Sequence, residues 1–178
     1  MSNGTRILNL GCGSRPMKGA VNHDRKQFAP HVDVWWDLEK KYWATDLASI
    51  LAKRRMKGED TWGLLDDTGK YRQFTDVHAR DVLEHIRPDL FYQVMNEVWL
   101  LLETGGLFHI QVPQWGSYNA KVDPTHWRGF ELESFDYLDP STRLGRAGWT
   151  TEFRWKIMDK AVLPRTKTNL TFTLKKIQ

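Results

Sequence analysis

Two glycines and two aspartates near the start of the chain have the types and spacing of a nucleoside-binding site. Gly11 and Gly13 follow a short apolar run, and glycines at such a point let the backbone approach a ligand without interference from a Cβ atom. Asp24 ends the next strand-like run, where a carboxylate can accept hydrogen bonds from ribose hydroxyls. Asp37 ends a third run, where a carboxylate can meet the amino group of a purine. These four positions together predict a nucleoside ligand.

The residues that hold phosphates in nucleotide sites do not follow this glycine pair. Pro16 stands where the dinucleotide fingerprint requires a third glycine, and the Gly-Lys-Ser/Thr of a triphosphate loop is lacking. A nicotinamide oxidoreductase is therefore disfavoured. The pattern fits an adenosine compound without phosphate better, and S-adenosylmethionine (SAM) is the common one.

A second group of reactive side chains lies in the polar segment 123–128. His126 has a reference pKa near neutrality and is our candidate general base, with Asp123 as the group that orients it. Arg128 and the neighbouring Trp127 are the candidates for binding the acceptor, since a guanidinium can hold an anionic group. The alternatives are that His126 only braces the loop and that Asp123-Pro124 only makes a turn. A metal site from Asp123, His126 and a neighbour has no recognised ligand spacing, so no metal is expected.

The elements that must position these residues alternate between strands and helices. We predict strands over residues 6–10, 20–22, 32–36, 74–79 and 107–112, helices over 45–55, 88–103 and 131–137, and a loop over 58–71. Gly105-Gly106 is expected to end the second helix. Residues 152–163 and 168–177 predict two further strands, joined by a turn at Pro164-Arg165. The pattern indicates one α/β domain over 1–178. We expect a Rossmann-like, mostly parallel seven-stranded sheet with a C-terminal antiparallel hairpin and helices on both faces.

Three segments resemble motifs of the class I SAM-dependent methyltransferases. Residues 7–13 with 19–24 resemble motif I and the acid of the second strand, and residues 81–86 resemble the V-L-E-H segment after strand four. Residues 102–110 resemble the turn into strand five, and the terminal hairpin matches strands six and seven. The matches occur in the family's order over residues 5–113. Only ten residues separate Gly13 from Asp24, so the usual first helix is shortened or missing, as in a subgroup with a G-C-G pattern.

The resemblance implies methyl transfer, with SAM as the cofactor. It implies that the methionine part of SAM meets the glycine turn, that Asp24 binds the ribose and that Asp37 and Leu38 meet the adenine. Asp81 and His85 would lie near the methionyl group and the acceptor. The full set of cofactor-binding residues expected on this basis is Gly11, Cys12, Gly13, Asp24, Asp37, Leu38, Asp81, Val82 and His85.

The amino-acid composition limits the classes of partner that the protein can have, but it does not identify one. The 178 residues carry a net charge of +4, which permits a nucleic-acid partner but does not favour one. A single cysteine, Cys12, and the lack of a signal segment or a long apolar run predict a cytoplasmic protein that binds no membrane. We expect a small-molecule or saccharide acceptor and a monomer or homodimer. The alternatives are a SAM-binding regulatory or partner module without catalysis and a nucleic-acid methyltransferase.

Overall fold

A seven-stranded sheet forms the framework of the protein. The structure is a computed structural model that describes residues 5–25, 30–147, 153–163 and 168–178. The strand order is β3-β2-β1-β4-β5-β7-β6. The strands are β1 (Ile7–Leu10), β2 (Ala20–Asp24), β3 (Val34–Trp35), β4 (Phe74–Arg80), β5 (Leu102–Pro113), β6 (Trp155–Val162) and β7 (Asn169–Lys176). The first five strands run parallel, and β7 pairs antiparallel with both β5 and β6. The predicted α/β sheet and its antiparallel hairpin are confirmed.

The two longer helices pack together on one face of the sheet. Helix α1 (Trp43–Met56) connects β3 to β4, and α2 (Phe91–Leu101) connects β4 to β5. Both connections cross the sheet in the same direction, so right-handed crossovers put both helices on the same side. The connection from β1 to β2 runs the other way and belongs to the opposite face. Its residues 11–19, all within the described part of the chain, form turns without a helix, as the short spacing predicts.

The core lies between these helices and the sheet. The apolar residues of α2 recur at helical spacing, which turns Val94, Val98 and Leu101 toward the sheet, where each is at most 1% exposed. Alternate residues of β5 and β7 meet them, among them the fully buried Phe108 and Phe172. Burying one such side chain contributes roughly 1.5–3 kcal/mol relative to leaving it exposed. This packing fixes the parallel strands whose carboxyl ends carry the predicted site.

The helix predicted over 88–103 ends earlier than the sequence suggests. Residues Pro88–Leu90 form a 3-10 turn, α2 ends at Leu101, and Leu102 already pairs with Phe74 as the first residue of β5. The prediction that Gly105-Gly106 ends the helix is therefore wrong. A register shift between Leu102 and Leu107 accommodates the glycines, because a Cβ atom on Gly106 would lie 2.9 Å from the Glu103 carbonyl oxygen. The glycines thus permit a bulge inside a twelve-residue strand.

The segment after β5 also differs from its prediction. Of the helix predicted over 131–137, only a 3-10 turn at Asp136–Leu138 forms, while a short helix α3 (Tyr118–Val122) was not predicted. The turn predicted at Pro164-Arg165 and the first residue of the strand predicted over 152–163 lie outside the described residues. None of the helices within the described ranges has the length and apolar character that crossing a bilayer requires.

Candidate functional site

The carboxyl ends of β1, β2, β3 and β4 surround a cleft of about 210 Å³. Its lining consists of Gly11, His23, Asp24, Arg25, Asp37, Leu38, Glu39, Asp81, Val82, His85 and Ile86. Seven of the nine residues expected from the sequence to bind the cofactor are in this lining, and the other two, Cys12 and Gly13, line the cavity next to it. The structure therefore brings the expected residues together at one edge of the sheet.

A second, larger cavity of about 630 Å³ adjoins the cleft. Gly11 and Asp81 line both spaces. The larger cavity lies between the turn residues 11–17 and the faces of β4, β5 and β7, and its polar walls include stacked imidazoles. The ring centroids of His78 and His109 are 4.5 Å apart, and His109 Nε2 lies 3.1 Å from Asp76 Oδ1. Sequence analysis did not identify this cavity, because its walls come from strands distant in sequence.

The glycine turn at the floor of the cleft needs glycine for two different reasons. Gly11 and Gly13 have φ values of +60° and +50°, in the left-handed region that L side chains rarely adopt. At Gly11 a Cβ atom would also lie 2.5 Å from Cγ2 of Val82, whereas at Gly13 none of the described atoms outside residues 12–14 lies within 4 Å of that position. Gly11 therefore lets the turn pack directly on Val82.

His23 connects this turn to the segment that carries Asp37. Its side chain is buried, its Nδ1 accepts from the Gly11 N–H at 3.3 Å, and its Nε2 donates to the Trp36 carbonyl oxygen at 3.2 Å. The assignment follows because a backbone N–H can only donate and a carbonyl can only accept, so the ring carries its single proton on Nε2. Burial lowers the pKa of His23 to about 4, which keeps the ring neutral. The sequence identifies His23 only as a residue at the end of a strand. No local sequence feature indicates that its ring bridges the glycine turn and Trp36.

The two predicted acids hold defined positions beside the turn. Asp24 is 8% exposed, and its Oδ2 accepts a hydrogen bond from the Gly13 N–H at 2.8 Å. Asp37 is half-buried, its Oδ1 accepts from the Glu39 N–H, and its Oδ2 lies 3.8 Å from an Arg25 nitrogen. Asp24 thus helps to shape the glycine turn in addition to facing the cleft.

Asp81 stands where the cleft and the larger cavity meet, in a strained backbone conformation. Its φ is +56°, a value that aspartate tolerates better than most residues. The carboxylate Oδ1 accepts from the side-chain amides of Gln111 and Asn169, each at 3.2 Å, and its N–H donates to the Gln111 carbonyl. Strands β5 and β7 therefore hold this side chain at the junction. Backbone strain of this kind costs of order 1–3 kcal/mol and concentrates at functional sites.

At the edge of the cleft, Glu84, His85 and His126 form a cluster. Glu84 is 1% exposed and His126 10% exposed, and the His85 and His126 rings meet edge to face with centroids 4.6 Å apart. His126 Nε2 lies 3.9 Å from both Glu84 Oε1 and Asp123 Oδ2. The Asp123 carboxylate therefore makes no hydrogen bond to the His126 ring, and the two residues are joined by the His126 N–H, which donates to the Asp123 carbonyl oxygen at 3.2 Å. Burial raises the pKa of Glu84 to about 8.

Hydrogen bonds attach the segment 123–128 to the residues after β4. Thr125 Oγ1 lies 2.6 Å from Asp123 Oδ1 and 2.9 Å from His85 Nδ1. The Trp127 N–H donates to the Glu84 carbonyl oxygen at 2.8 Å. Asp123 thus forms a turn, which was the alternative to a catalytic role. Thr125 connects its carboxylate to the His85 ring by hydrogen bonds.

The two residues expected to bind the acceptor differ in their surroundings. Trp127 is 59% exposed. The Arg128 guanidinium lies 4.2 Å from the centroid of the Phe91 ring and 5.1 Å from that of Phe130, and burial lowers its pKa. This cation–π contact stabilises the position of the Arg128 side chain. An anionic group would have to reach it beside these rings.

Comparison with known proteins gives structural matches without a sequence match. No protein-family model and no curated protein matches the sequence. A SAM-dependent methyltransferase from Archaeoglobus fulgidus aligns with a TM-score of 0.54 and 13% identity, covering 98% of this chain and 87% of that chain.

Two further structures give the same result. The N-methyltransferase NodS from Bradyrhizobium japonicum, in complex with S-adenosyl-L-homocysteine, aligns with a TM-score of 0.56 and 9% identity, covering 98% of this chain and 79% of that chain. The 1,6-didemethyltoxoflavin-N1-methyltransferase from Burkholderia thailandensis, with S-adenosylhomocysteine bound, aligns with a TM-score of 0.53 and 18% identity, covering 97% and 71%. This chain therefore has the Rossmann-like fold of SAM-dependent methyltransferases.

Proposed function

We propose that this protein is a SAM-dependent methyltransferase that acts on a small-molecule or saccharide acceptor. The observation that carries the proposal is the convergence of Gly11, Asp24 and Asp37 on one cleft, each at the carboxyl end of a neighbouring parallel strand or just beyond it. In open α/β sheets ligands bind at this edge. The fold shared with SAM-dependent methyltransferases supports the same conclusion.

The lining of the cleft suits an adenosine compound without phosphates. Asp24 is the candidate partner of the ribose hydroxyls, and Asp37 with Leu38 is the candidate site for the adenine. Asp81 would face the ammonium of the methionine part, since a carboxylate beside the glycine turn attracts a cation. Cys12 and Gly13 contribute backbone at the same turn, and Val82 contributes an apolar wall.

Methyl transfer requires alignment more than acid–base chemistry from the protein. SAM, when bound, supplies a methyl group already activated by a sulfonium. The chain's contribution is to hold the acceptor atom in line with that methyl group and to exclude water. The acceptor side of the cleft is the segment with Asp123, His126, Trp127 and Arg128, which is attached beside the cleft-lining His85. It remains our candidate acceptor region.

Calorimetry with purified protein tests the cofactor. We expect SAM and S-adenosylhomocysteine to bind with micromolar dissociation constants and NAD⁺ to bind far more weakly, because the fingerprint for a pyrophosphate is broken at Pro16. Preferred binding of NAD⁺, or the lack of any heat or thermal shift with SAM, would contradict the proposal.

A second experiment separates catalysis from binding alone. Protein incubated with methyl-labelled SAM and fractionated cell extract should transfer label to a small-molecule or saccharide fraction. Binding of SAM without label in any fraction would favour the non-catalytic module. Label in the nucleic-acid fraction, with retention on DNA or RNA that weakens steeply with salt, would favour a nucleic-acid methyltransferase.

A further inference from the structure

Three side chains at the edge of the cleft have the arrangement of a metal site. Glu84, His85 and His126 each offer one ligand atom, and these atoms all lie within 4.8 Å of one another. Glu84 Oε2 is buried and has no hydrogen-bond partner within the described part of the chain. Leaving a buried polar atom unsatisfied costs about 1–3 kcal/mol, so native structures rarely do so. We propose that Glu84, His85 and His126 bind a divalent transition-metal ion.

The donor set indicates which ions fit. Two imidazoles and one carboxylate are the protein ligands of His₂Glu zinc sites, in which a fourth position stays open for water or substrate. The same set also serves non-haem iron(II), and imidazole is a good ligand for zinc, iron and nickel. Mg²⁺ and Ca²⁺ prefer oxygen ligands throughout and fit poorly. A first-row transition ion such as Zn²⁺ is therefore the expected occupant.

A hydrogen-bond chain prepares His85 as a ligand. Thr125 Oγ1 has one proton, which it donates to the carboxylate of Asp123 at 2.6 Å. The hydroxyl must then accept from His85 Nδ1 at 2.9 Å, so the ring carries its proton on Nδ1. His85 Nε2 is left with a lone pair for an ion. Such outer-shell partners fix the tautomer and orientation of metal-binding histidines in known sites.

The observed distances suit a shared ion better than direct contacts. His126 Nε2 lies 3.9 Å from Glu84 Oε1, which is too long for a hydrogen bond. Two ligand atoms each about 2.1 Å from one zinc ion are about 3.4 Å apart in tetrahedral geometry and at most about 4.2 Å apart. The pair that is 3.9 Å apart would therefore have to close by about 0.5 Å, and a pair at the 4.8 Å limit by about 1.4 Å. The Trp127 N–H bond to the Glu84 carbonyl already holds the two contributing segments together.

The position of the site would allow the ion to act on the methyl acceptor. His85 lines the cleft and also belongs to the cluster, so the ion would lie at the cleft's edge with an open coordination position. An ion there can bind an acceptor hydroxyl and lower its pKa, which makes the oxygen a better nucleophile. This role rests on the proposed methyl transfer, whereas binding of the metal itself does not. His126 would then serve as a ligand and not as a general base.

Metal binding by the full chain tests the inference without SAM. Tag-free protein stripped with a chelator is titrated with Zn²⁺ by calorimetry, its metal content is measured by mass spectrometry, and Co²⁺ provides a visible-absorption probe of coordination. We expect one Zn²⁺ per chain and no comparable binding of Mg²⁺. Glu84→Gln and His126→Ala should each lower the Zn²⁺ affinity by at least about 100-fold, and Thr125→Val by roughly 10–100-fold as an outer-shell change. His78→Gln, which removes a histidine outside the cluster, should leave the affinity unchanged.

Thermal unfolding separates loss of the site from loss of the fold. In chelator, Glu84→Gln and His126→Ala should unfold within a few degrees of the unsubstituted protein, and added Zn²⁺ should stabilise only the unsubstituted protein and His78→Gln. If a variant is unfolded in chelator, His85→Asn replaces it in the comparison. Failure of the unsubstituted protein to take up Zn²⁺, or uptake that survives the substitutions in folded variants, overturns the inference. Because SAM is not present, this outcome leaves the proposed function to its own test.

Discussion

The imidazole Nδ1 of His23 accepts a hydrogen bond from the backbone N–H of Gly11 across 3.3 Å. The opposite nitrogen of the same ring donates to the Trp36 carbonyl oxygen, one residue before Asp37. The ring also stacks on Trp36, with centroids 5.2 Å apart. A buried neutral histidine thus joins the glycine turn to the segment that carries the candidate adenine site. Because Nδ1 can accept from the Gly11 N–H only while the ring is neutral, the contact between His23 and the glycine turn depends on the protonation state of His23.

We expect the contribution of His23 to the free energy of unfolding to decrease as the pH falls from about 6.5 toward 4. Burial lowers the pKa of His23 from 6.5 to about 4 in the folded protein. Between these values the unfolded chain binds a proton that the native chain does not, so this contribution is fully present above pH 6.5 and is lost below it. The difference in pKa corresponds to roughly 3 kcal/mol. Urea unfolding measured at intervals from pH 7 to 4.5 gives the slope for the whole protein, to which Glu84, with its raised pKa, contributes in the opposite direction.

The His23→Gln variant isolates this contribution from that of other titrating groups. Glutamine offers an NH₂ group that donates and a carbonyl oxygen that accepts, and it does not titrate. We expect the variant to be less stable at pH 7 and to lose less stability between pH 6.5 and 4.5 than the unsubstituted protein. Equal slopes for the two proteins would show that His23 is not the group responsible.

The two glycines of the turn should respond differently to alanine. At Gly11 the added Cβ lies 2.5 Å from Val82 Cγ2 and the φ is +60°, so strain and overlap combine. We expect Gly11→Ala to destabilise the fold by about 2–4 kcal/mol and Gly13→Ala, which meets open space, by about 1–2 kcal/mol. Chemical unfolding of both variants measures the difference. Adding Val82→Ala to Gly11→Ala should recover part of the loss, and a loss of equal size at both glycines would contradict the packing argument.

The parts of the site that follow from local rules were predictable from the sequence. Gly11, Asp24 and Asp37 each follow a short apolar run, and the carboxyl ends of parallel strands share one edge of a sheet. That reasoning needs only the order of the elements. It located the cleft without any knowledge of contacts between side chains.

The parts that depend on long-range packing were not predictable. His126 was paired with Asp123 because the two are close in sequence, but the fold brings Glu84 equally close, 42 residues earlier in the chain. Likewise, the end of α2 depends on Leu102 pairing with Phe74, a tertiary contact that overrides the helical pattern. A periodic pattern identifies which element forms, whereas the partners across the sheet decide where it stops.

Asp81 offers a test of the methionine end of the cleft. Its φ of +56° suits asparagine as well as aspartate, and an asparagine Oδ1 can still accept from Gln111 and Asn169. We therefore expect Asp81→Asn to keep the free energy of unfolding within about 1 kcal/mol while lowering SAM affinity roughly tenfold, because a carboxylate that faces a cation is lost. Calorimetry at low and high salt should show the affinity difference shrinking as salt screens the charge. Unchanged affinity would place the methionine part of SAM elsewhere.

Two substitutions at Asp24 distinguish its structural role in the glycine turn from its proposed role in binding the ribose. The Oδ2 of Asp24 accepts from the Gly13 N–H at 2.8 Å, so removing the carboxylate must affect both the turn and any ligand on it. Asparagine can still offer an oxygen to that N–H, but its amide nitrogen cannot accept from a ribose hydroxyl. We expect Asp24→Asn to weaken SAM binding at least tenfold with little loss of stability. Asp24→Ala should weaken binding further and lower the free energy of unfolding by about 1–3 kcal/mol, since the Gly13 N–H loses its acceptor. If both variants bind SAM as tightly as the unsubstituted protein, the ribose does not lie at Asp24, and the cleft has been assigned to the wrong ligand.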